Sequence, residues 1–313
     1  MMDDDGMKNN KSSQIVVVLD GQQEFETNSR TDEKNIQDGV NTPAVFMKVA
    51  GKIPVYFQED WAAGIGGGLW STGRAMASYF SDHSDTLRKQ LLQQQKQKGI
   101  GLNNQNAKLS ALELGSGNGF LSVCLLAALQ ASSLQENDRS NNNTTILSEL
   151  AVTDIGKDHL ELMRKTLHAN KHIVSASNKT DDEKCEVSVV EHKWGEFLDD
   201  DTSGVTSGAD NKGESSSSLE MRVQRGTGTF DFIFGSDLAY RDHLHAPLIT
   251  SLQKFSHANT ISLIGVTMND TTPAFFTSLW EAGFGYERLG DHWMEPQYRG
   301  TNFGFICIQK RPK

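Results

Sequence analysis

The chain has 313 residues, of which 30 are basic and 40 are acidic, so its formal charge at pH 7 is −10. This length suffices for a sizeable core in one large domain or two small ones. The acidic balance argues against binding nucleic acid through its phosphates, because neutralising phosphates requires a basic surface. No apolar run approaches the length of a membrane span, so we expect neither a nucleic-acid nor a membrane partner.

The cysteines and the first residues indicate the compartment. Cys124, Cys185 and Cys307 are scattered, and each lies in an apolar or strand-like run, which predicts buried, reduced thiols. The first residues are acidic and polar, unlike a secretory signal. We therefore expect a cytoplasmic or nuclear protein.

Residues 1–52 predict an N-terminal arm that is partly disordered. Within this arm, Gln14–Leu19 has the pattern of a strand, whereas Gln22–Gly39 is polar throughout. A strand over Ile53–Phe57 and a glycine-rich turn over Trp61–Gly68 follow.

Next, Leu69–Leu92 predicts one or two helices, and the polar stretch Gln93–Asn106 predicts a loop. Two further segments, near 130–145 and 199–228, are rich in Ser, Asn, Gly or Asp and contain few apolar residues. They predict solvated, disordered inserts, because such segments cannot bury enough apolar surface to pack.

Between these inserts, strands alternate with helices. The predicted strands are Leu109–Leu114, Leu150–Ile155, Glu186–Glu191, Phe230–Phe234, Thr260–Val266, Tyr286–Leu289 and Phe303–Gln309. Alternation of this kind is typical of βαβ units around a parallel sheet, and two consecutive strands at the end suit an antiparallel pair. We therefore predict one α/β domain over residues 53–313, with a Rossmann-like, mostly parallel sheet of seven strands and helices on both faces.

The segment from Leu112 to Gly119 is the most informative motif. An apolar run enters it and a helical apolar run leaves it, which is the strand, glycine turn and helix of a nucleotide-type cofactor loop. Its Gly-x-Gly-x-Gly spacing differs from the Gly-x-Gly-x-x-Gly of dinucleotide-binding folds and resembles the loop of S-adenosylmethionine (SAM) dependent methyltransferases. The candidate cofactor residues here are Glu113, Gly115, Ser116, Gly117 and Gly119. A glycine-rich turn of another α/β domain stays the alternative.

Other candidate residues follow the next predicted strands, because ligands of open α/β sheets bind beyond the carboxyl ends of the strands. Asp154 is placed to accept hydrogen bonds from ribose hydroxyls, or else to cap a helix. Trp194 is placed to stack on an adenine ring, or else to fill the core. Asp237 and Tyr240 follow the fourth strand at the mouth of the same pocket, and helix capping is the rival role for Asp237.

Together these residues resemble protein-lysine methyltransferase family 16, within the seven-strand SAM-dependent methyltransferases. The shared elements are Gln58–Trp61, the Gly68-Leu69-Trp70 turn, the His-Ala-Asn that ends at Asn170, Trp194-Gly195 and Phe230–Tyr240. The resemblance implies that SAM is contacted by Trp70, Gly115, Ser116, Gly117, Asp154, Trp194 and Ser236. It implies that Asp237 and Tyr240 are the catalytic residues that face the methyl group and the substrate.

The resemblance further implies a monomer that methylates an exposed lysine of a protein such as a chaperone or a translation factor. The run Gly66-Gly67-Gly68 and the two inserts depart from the family, so the target protein is not defined. The alternatives are methylation of a protein histidine, an amino terminus or a small amine, a SAM-binding module without turnover, and a nicotinamide enzyme. His168 and His172 have helical spacing but no obvious third ligand, so we predict no metal site.

Overall fold

A computed structural model describes residues 45–102, 108–133, 146–175, 185–198 and 218–312. Its strands are β1 (Val45–Val49), β2 (Ile53–Tyr56), β3 (Leu109–Glu113), β4 (Leu147–Asp154), β5 (Glu186–Glu191), β6 (Phe230–Ser236), β7 (Ser256–Thr267), β8 (Phe284–Arg288) and β9 (Phe303–Lys310). Its helices are α1 (Ser71–Asp82), α2 (Ser84–Leu102), α3 (Phe120–Ser133), α4 (Lys157–Ala169), α5 (Lys171–Val174), α6 (Ser218–Arg225), α7 (Asp242–Phe255) and α8 (Pro273–Glu281). The predicted strand Gln14–Leu19 lies outside the described residues.

Seven strands form one sheet in the order β5-β4-β3-β6-β7-β9-β8. The first five of these are mutually parallel, and β9 runs antiparallel to both of its neighbours. The predicted Rossmann-like class, including the antiparallel pair at the end of the chain, is confirmed. Since β4 lies on one side of β3 and β6 on the other, the chain reverses its direction of winding between them, which is where such sheets bind ligands.

Helices cover both faces of the sheet, as the side chains of β6 demonstrate. Phe232 and Phe234 pack in a core with α1 to α5, whereas Ile233 between them packs in a second core with α6 to α8. Successive side chains of a strand point to opposite faces, so a strand buried on both faces is apolar along its whole length.

The predicted loop Gln93–Asn106 is wrong over most of its length, because α2 continues to Leu102. Two polar side chains of this segment, Gln94 and Lys98, are buried or half-buried, whereas Gln93, Lys96 and Gln97 are exposed. The Gln94 amide donates to the carbonyl oxygens of Asp231 (2.8 Å) and Asn259 (2.9 Å), and the Lys98 ammonium donates to the Asp231 carboxylate (2.8 Å). The polarity therefore reflects partners at the amino end of β6, which the sequence pattern does not reveal.

The second predicted insert, 199–228, is also wrong at its end, because α6 occupies Ser218–Arg225. Leu219 and Val223, one helical turn apart, are fully buried in the core beneath α7. Arg222 donates twice to the Glu149 carboxylate of β4, at 2.7 and 2.9 Å. Two apolar side chains and one ion pair thus anchor a helix whose composition is polar overall. The first insert likewise begins later than predicted, because α3 extends to Ser133.

A hairpin of β1 and β2 packs against α1 and α3, so the folded part begins before Ile53. Asn170, at the end of α4, is fully buried. Its side chain forms hydrogen bonds with the edge of β2 that does not pair with β1. Its Oδ1 accepts from Tyr56 N (2.8 Å) and its Nδ2 donates to Tyr56 O (2.7 Å). The side-chain amide therefore replaces a strand partner and fixes the segment that leads into Gln58–Trp61.

Two further expectations concern the cysteines and the membrane. All three cysteines are free thiols; Cys124 and Cys185 are buried, as predicted, and Cys307 is half-buried. Across the described ranges, no helix combines the length and the apolar character needed to cross a bilayer.

The packing of α6 predicts that Leu219→Ala lowers the free energy of unfolding by about 2–5 kcal/mol, because it leaves a cavity in a closed core. Urea unfolding followed by circular dichroism measures this change. Leu198→Ala, at a leucine that is largely exposed, is the matched control and should cost much less. Equal stability of Leu219→Ala and the wild type would mean that α6 does not pack on the core.

Candidate active site

The carboxyl ends of the central strands surround a cavity of about 520 Å³, within the range of small-molecule sites. The predicted site residues that line it are Trp70, Gly115, Gly117, Asp154, Trp194, Ser236, Asp237 and Tyr240. They come from five separate stretches of the chain, and the structure brings them to one place.

The glycine loop after β3 has a backbone conformation and close neighbours that leave no room for side chains. Gly115, Gly117 and Gly119 have φ angles of +59°, +63° and +79°. A Cβ on Gly117 would lie 2.6 Å from the Gly66 carbonyl oxygen, and one on Gly115 would lie 2.7 Å from the Trp194 ring. The spacing of the glycines is thus imposed by both the turn and the close approach of neighbouring segments.

Glu113, Ser116 and Gly119 do not line the cavity. Their hydrogen bonds hold the glycine loop in place. The Ser116 amide donates to Thr153 O (2.9 Å), and its hydroxyl oxygen accepts from the Gly119 amide (3.0 Å). Glu113 is buried and accepts a hydrogen bond from the Ser122 hydroxyl. Burial raises the pKa of Glu113 to about 7, against the opposing effect of the bonds from Ser122 and Ser116.

Asp154 links the end of β4 to the glycine loop. Its Oδ2 accepts from Gly117 N (2.6 Å) and its Oδ1 accepts from Ile155 N (2.7 Å). The cap of α4 is Gly156 and has no side-chain hydrogen bond, so Asp154 does not cap that helix. Its carboxylate lies at the cavity wall.

His159 is a residue of this wall that sequence reasoning missed. Its Nδ1 donates to Ile155 O (3.0 Å) and lies 3.5 Å from Asp154 Oδ1. The hydrogen bond to Asp154 is the main cause that raises the pKa of His159 to about 8, so the ring is charged at neutral pH. No feature of the sequence indicates this pair, because the contact depends on how α4 begins.

Asp237 has the most unusual conformation in the site. It is one of two described residues other than glycine with a positive φ, at +55°. Its Oδ1 accepts from the Thr267 hydroxyl (3.1 Å), whose oxygen lies 3.2 Å from that of Thr72. Its Oδ2 is buried and has no hydrogen-bond partner among the described residues. Burial raises the pKa of Asp237, although Thr72 and Thr267 act in the opposite direction.

Asp237 does not cap a helix, since the cap of α7 is Arg241. The turn that carries Asp237 and Tyr240 is held instead by the buried His245, whose Nε2 donates to Ala239 O (3.1 Å). The half-exposed Tyr240 ring has the Arg241 guanidinium 5.5 Å from its centre. Sequence reasoning also missed Thr72 and Thr267, which lie far along the chain from the motif that they support.

Two tryptophans line the cavity. Trp70 is the N-cap residue of α1 and donates from Nε1 to Ile65 O (2.9 Å). Trp194 packs against Gly115, and the next amide, Gly195 N, donates to Ser251 Oγ (3.0 Å).

Ser251 also lies 3.0 Å from His192 Nε2. Burial lowers the pKa of His192 to about 4, so this cavity histidine is neutral at physiological pH. Within the described residues, no group of three or more His, Cys, Asp or Glu side chains is arranged to hold a metal ion. His172, which has helical spacing to His168, donates to Pro54 O (2.9 Å).

Comparison with protein families finds a match over residues 51–207, just over half of the chain, to the family described as lysine methyltransferase. Comparison with curated proteins finds no match.

The structure of this chain is similar to several solved structures, including the following three. A ribosomal protein L11 methylase from Lactobacillus delbrueckii subsp. bulgaricus is 14% identical, with a TM-score of 0.38 over 71% of this chain and 79% of that one. An O-methyltransferase from Bacillus cereus in complex with SAH is 13% identical, with a TM-score of 0.36 over 74% and 81%. A predicted O-methyltransferase from Agrobacterium tumefaciens is 12% identical, with a TM-score of 0.38 over 66% and 75%. The fold assignment rests on the strand order of this chain and not on these likenesses.

The buried Glu113 predicts a pH-dependent stability. Because its pKa is raised from 4.5 to about 7, the native state holds this proton more tightly than the unfolded state. The stability that Glu113 contributes is therefore complete below pH 4.5 and is lost as the pH rises through 7. Gln cannot ionise, so the free energy of unfolding of Glu113→Gln should not show this loss. From acidic to mildly alkaline pH, it should rise relative to that of the wild type by on the order of 3 kcal/mol.

Denaturant unfolding at pH 5 and pH 8 measures this difference. Glu281→Gln, at an exposed position of α8, is the control and should show no such trend. A constant difference between Glu113→Gln and the wild type at both pH values would contradict the raised pKa.

Proposed function

This chain belongs to the lysine methyltransferase family, and on that premise we propose that it transfers a methyl group from SAM to a lysine amine of a protein. The observation that carries the proposal is Asp237. It lines the cavity beside Tyr240, and its buried Oδ2 is unpaired among the described residues. An unpaired buried carboxylate oxygen is costly, and an amine that enters the cavity would satisfy it.

The cavity wall fits SAM in three respects. Gly115 and Gly117 line the cavity without side chains just before α3 begins, and the start of a helix favours the carboxylate of a ligand. Asp154 presents acceptors for ribose hydroxyls, and Trp70 and Trp194 present ring surfaces. When bound, SAM supplies a methyl group on a positively charged sulfur.

The residues of the chain bind and orient the nucleophile. Free lysine is protonated at neutral pH and must lose a proton before it attacks. Ionised Asp237 attracts the ammonium, and its raised pKa makes it a better proton acceptor than an exposed aspartate. The Tyr240 ring offers a cation–π surface at the mouth. Leu238 and Pro247 give the cavity apolar walls, which limit competing water.

Cofactor choice is the first test of this proposal. Calorimetry should detect binding of S-adenosylhomocysteine and no comparable binding of NAD. Asp154→Ala should weaken the binding of S-adenosylhomocysteine by about 1–3 kcal/mol, because ribose hydroxyls lose their acceptor. Asp158→Ala, at an exposed position of α4, should leave the affinity unchanged. Tighter binding of NAD, or an unchanged affinity of Asp154→Ala, would contradict the proposed site.

The second test addresses the reacting end of the cavity. Asp237→Asn tolerates the positive φ and keeps the shape of the side chain but removes its charge. Methyl transfer from radiolabelled SAM to protein should fall by at least about 100-fold, because the amine is no longer held electrostatically.

The affinity of Asp237→Asn for S-adenosylhomocysteine should change far less than the transfer rate does. Asp242→Asn, whose carboxylate is exposed, is the matched control and should transfer at nearly the wild-type rate. Transfer by Asp237→Asn at the wild-type rate would place the substrate pocket elsewhere.

A further inference from the structure

Exposed apolar side chains are concentrated around the mouth of the cavity. Ten large hydrophobic side chains are exposed among the described residues; four of them line the cavity, and a fifth contacts one of those four. These five are Trp61, Ile65, Trp70, Ile155 and Tyr240. Single exposed apolar residues are ordinary on a protein surface, but a cluster of them beside a cavity marks an interaction surface.

Three of these side chains form what we call the apolar platform: Trp61, Ile65 and Trp70, which are 57%, 55% and 47% exposed. The two indoles meet edge to face, with ring centres 5.9 Å apart. Trp61 Nε1 donates to Glu59 (3.2 Å), and Trp70 Nε1 donates to Ile65 O (2.9 Å). Since both indole N–H groups are already bonded, the platform offers its surroundings mainly apolar ring surface.

The segment that carries the platform is fixed in place. Asp60 N donates to Gly67 O (2.9 Å), and the buried Asn118 donates from Nδ2 to Gly68 O (2.9 Å). Glu59 accepts from the Leu69 amide (3.1 Å), which holds the end of the segment. A Cβ on Gly68 would lie 2.2 Å from the Trp61 ring, so the ring rests directly on the backbone. A surface ordered before binding loses little conformational entropy when it binds.

SAM does not account for the whole platform. Trp61 is the most exposed of its side chains and does not line the cavity. Its position outside the cavity means that a molecule reaching it must extend beyond the cofactor. The cavity beside the platform is also lined by the acidic side chains Asp237 and Asp270.

We propose that the apolar platform docks the protein substrate, by packing against apolar side chains that neighbour the lysine to be methylated. The lysine then enters between Asp237 and Tyr240, while its apolar neighbours cover Trp61 and Ile65. The partner is therefore a protein surface that places a lysine beside an apolar patch, and not a free amino acid. This inference rests on the proposed function and adds the part of the substrate that the cavity itself does not hold.

The experiment compares full-length wild type with Trp61→Ala and with Trp280→Ala, whose tryptophan is 54% exposed on α8 and does not line the cavity. Each protein receives radiolabelled SAM and the total protein of a cell lysate at limiting concentration. Trp61→Ala should reduce the initial labelling rate by about tenfold or more, as removal of an aromatic anchor does. Trp280→Ala should label at the wild-type rate, and all three should bind S-adenosylhomocysteine with equal affinity.

Ile65→Ser is a second variant, and it decides the result if Trp61→Ala lowers the melting temperature. Labelling at the wild-type rate by both platform variants would overturn the proposal. An increased rate would also overturn it, because the platform would then hold a segment of this chain over the mouth. A third result would also overturn the proposal: a wild type that elutes as a dimer in size-exclusion chromatography and variants that elute as monomers. A second copy of the chain would then occupy the platform.

Failure of the proposed function gives different results. If the wild type binds S-adenosylhomocysteine but labels no protein, the transferase proposal fails and the docking proposal falls with it. If the label resides on a residue other than lysine, yet both platform variants reduce it, the lysine assignment is wrong and the docking surface stands.

Discussion

The pairing of β3 with β6 is the interaction on which the candidate site depends. Ala111 pairs with Phe232 and Glu113 with Phe234, and the ladder continues past the strand end as Leu114 N donates to Phe234 O (2.9 Å). Two sharp turns, one at Gly115 and one at Asp237, therefore leave the sheet side by side. In a parallel sheet the carboxyl ends of neighbouring strands meet at one edge, so this register alone brings the glycine loop next to the acidic turn.

Asp231 and Asp237 lie near opposite ends of β6, and their hydrogen bonds and pKa values differ although both are largely buried. Burial acts to raise the pKa of Asp231, but hydrogen bonds from His257, Lys98 and the Ser110 amide lower it to about 2. At the other end of the strand, Asp237 keeps one buried oxygen unpaired among the described residues, and burial raises its pKa. A fully bonded buried carboxylate stabilises the fold, whereas a half-bonded one at a cavity retains the capacity to bind a ligand.

The sequence predicts those features that depend on local pattern. The order of strands and helices, the glycine loop and the acidic residues at the strand ends follow from periodicity and from the position of each residue after a strand. Residues recruited from a distance leave no such signal: Thr72 reaches Asp237 through Thr267. A polar sequence also leads to a wrong prediction of a loop where the polar side chains bind buried partners, as they do in α2 and α6. The composition of such a segment does not reveal where its hydrogen bonds go.

The central claim is that the methyl group is transferred to the side-chain amine of lysine. Its most direct test is the chemical identity of the product, with the full-length protein, radiolabelled SAM and lysate protein as reactants. Acid hydrolysis of the labelled protein, followed by chromatography against methylated amino-acid standards, identifies the acceptor. The account predicts that the label migrates with methyl-lysine and is lost from reactions with Asp237→Asn. Label that migrates with methyl-histidine or with an amino-terminal methyl amino acid would contradict it.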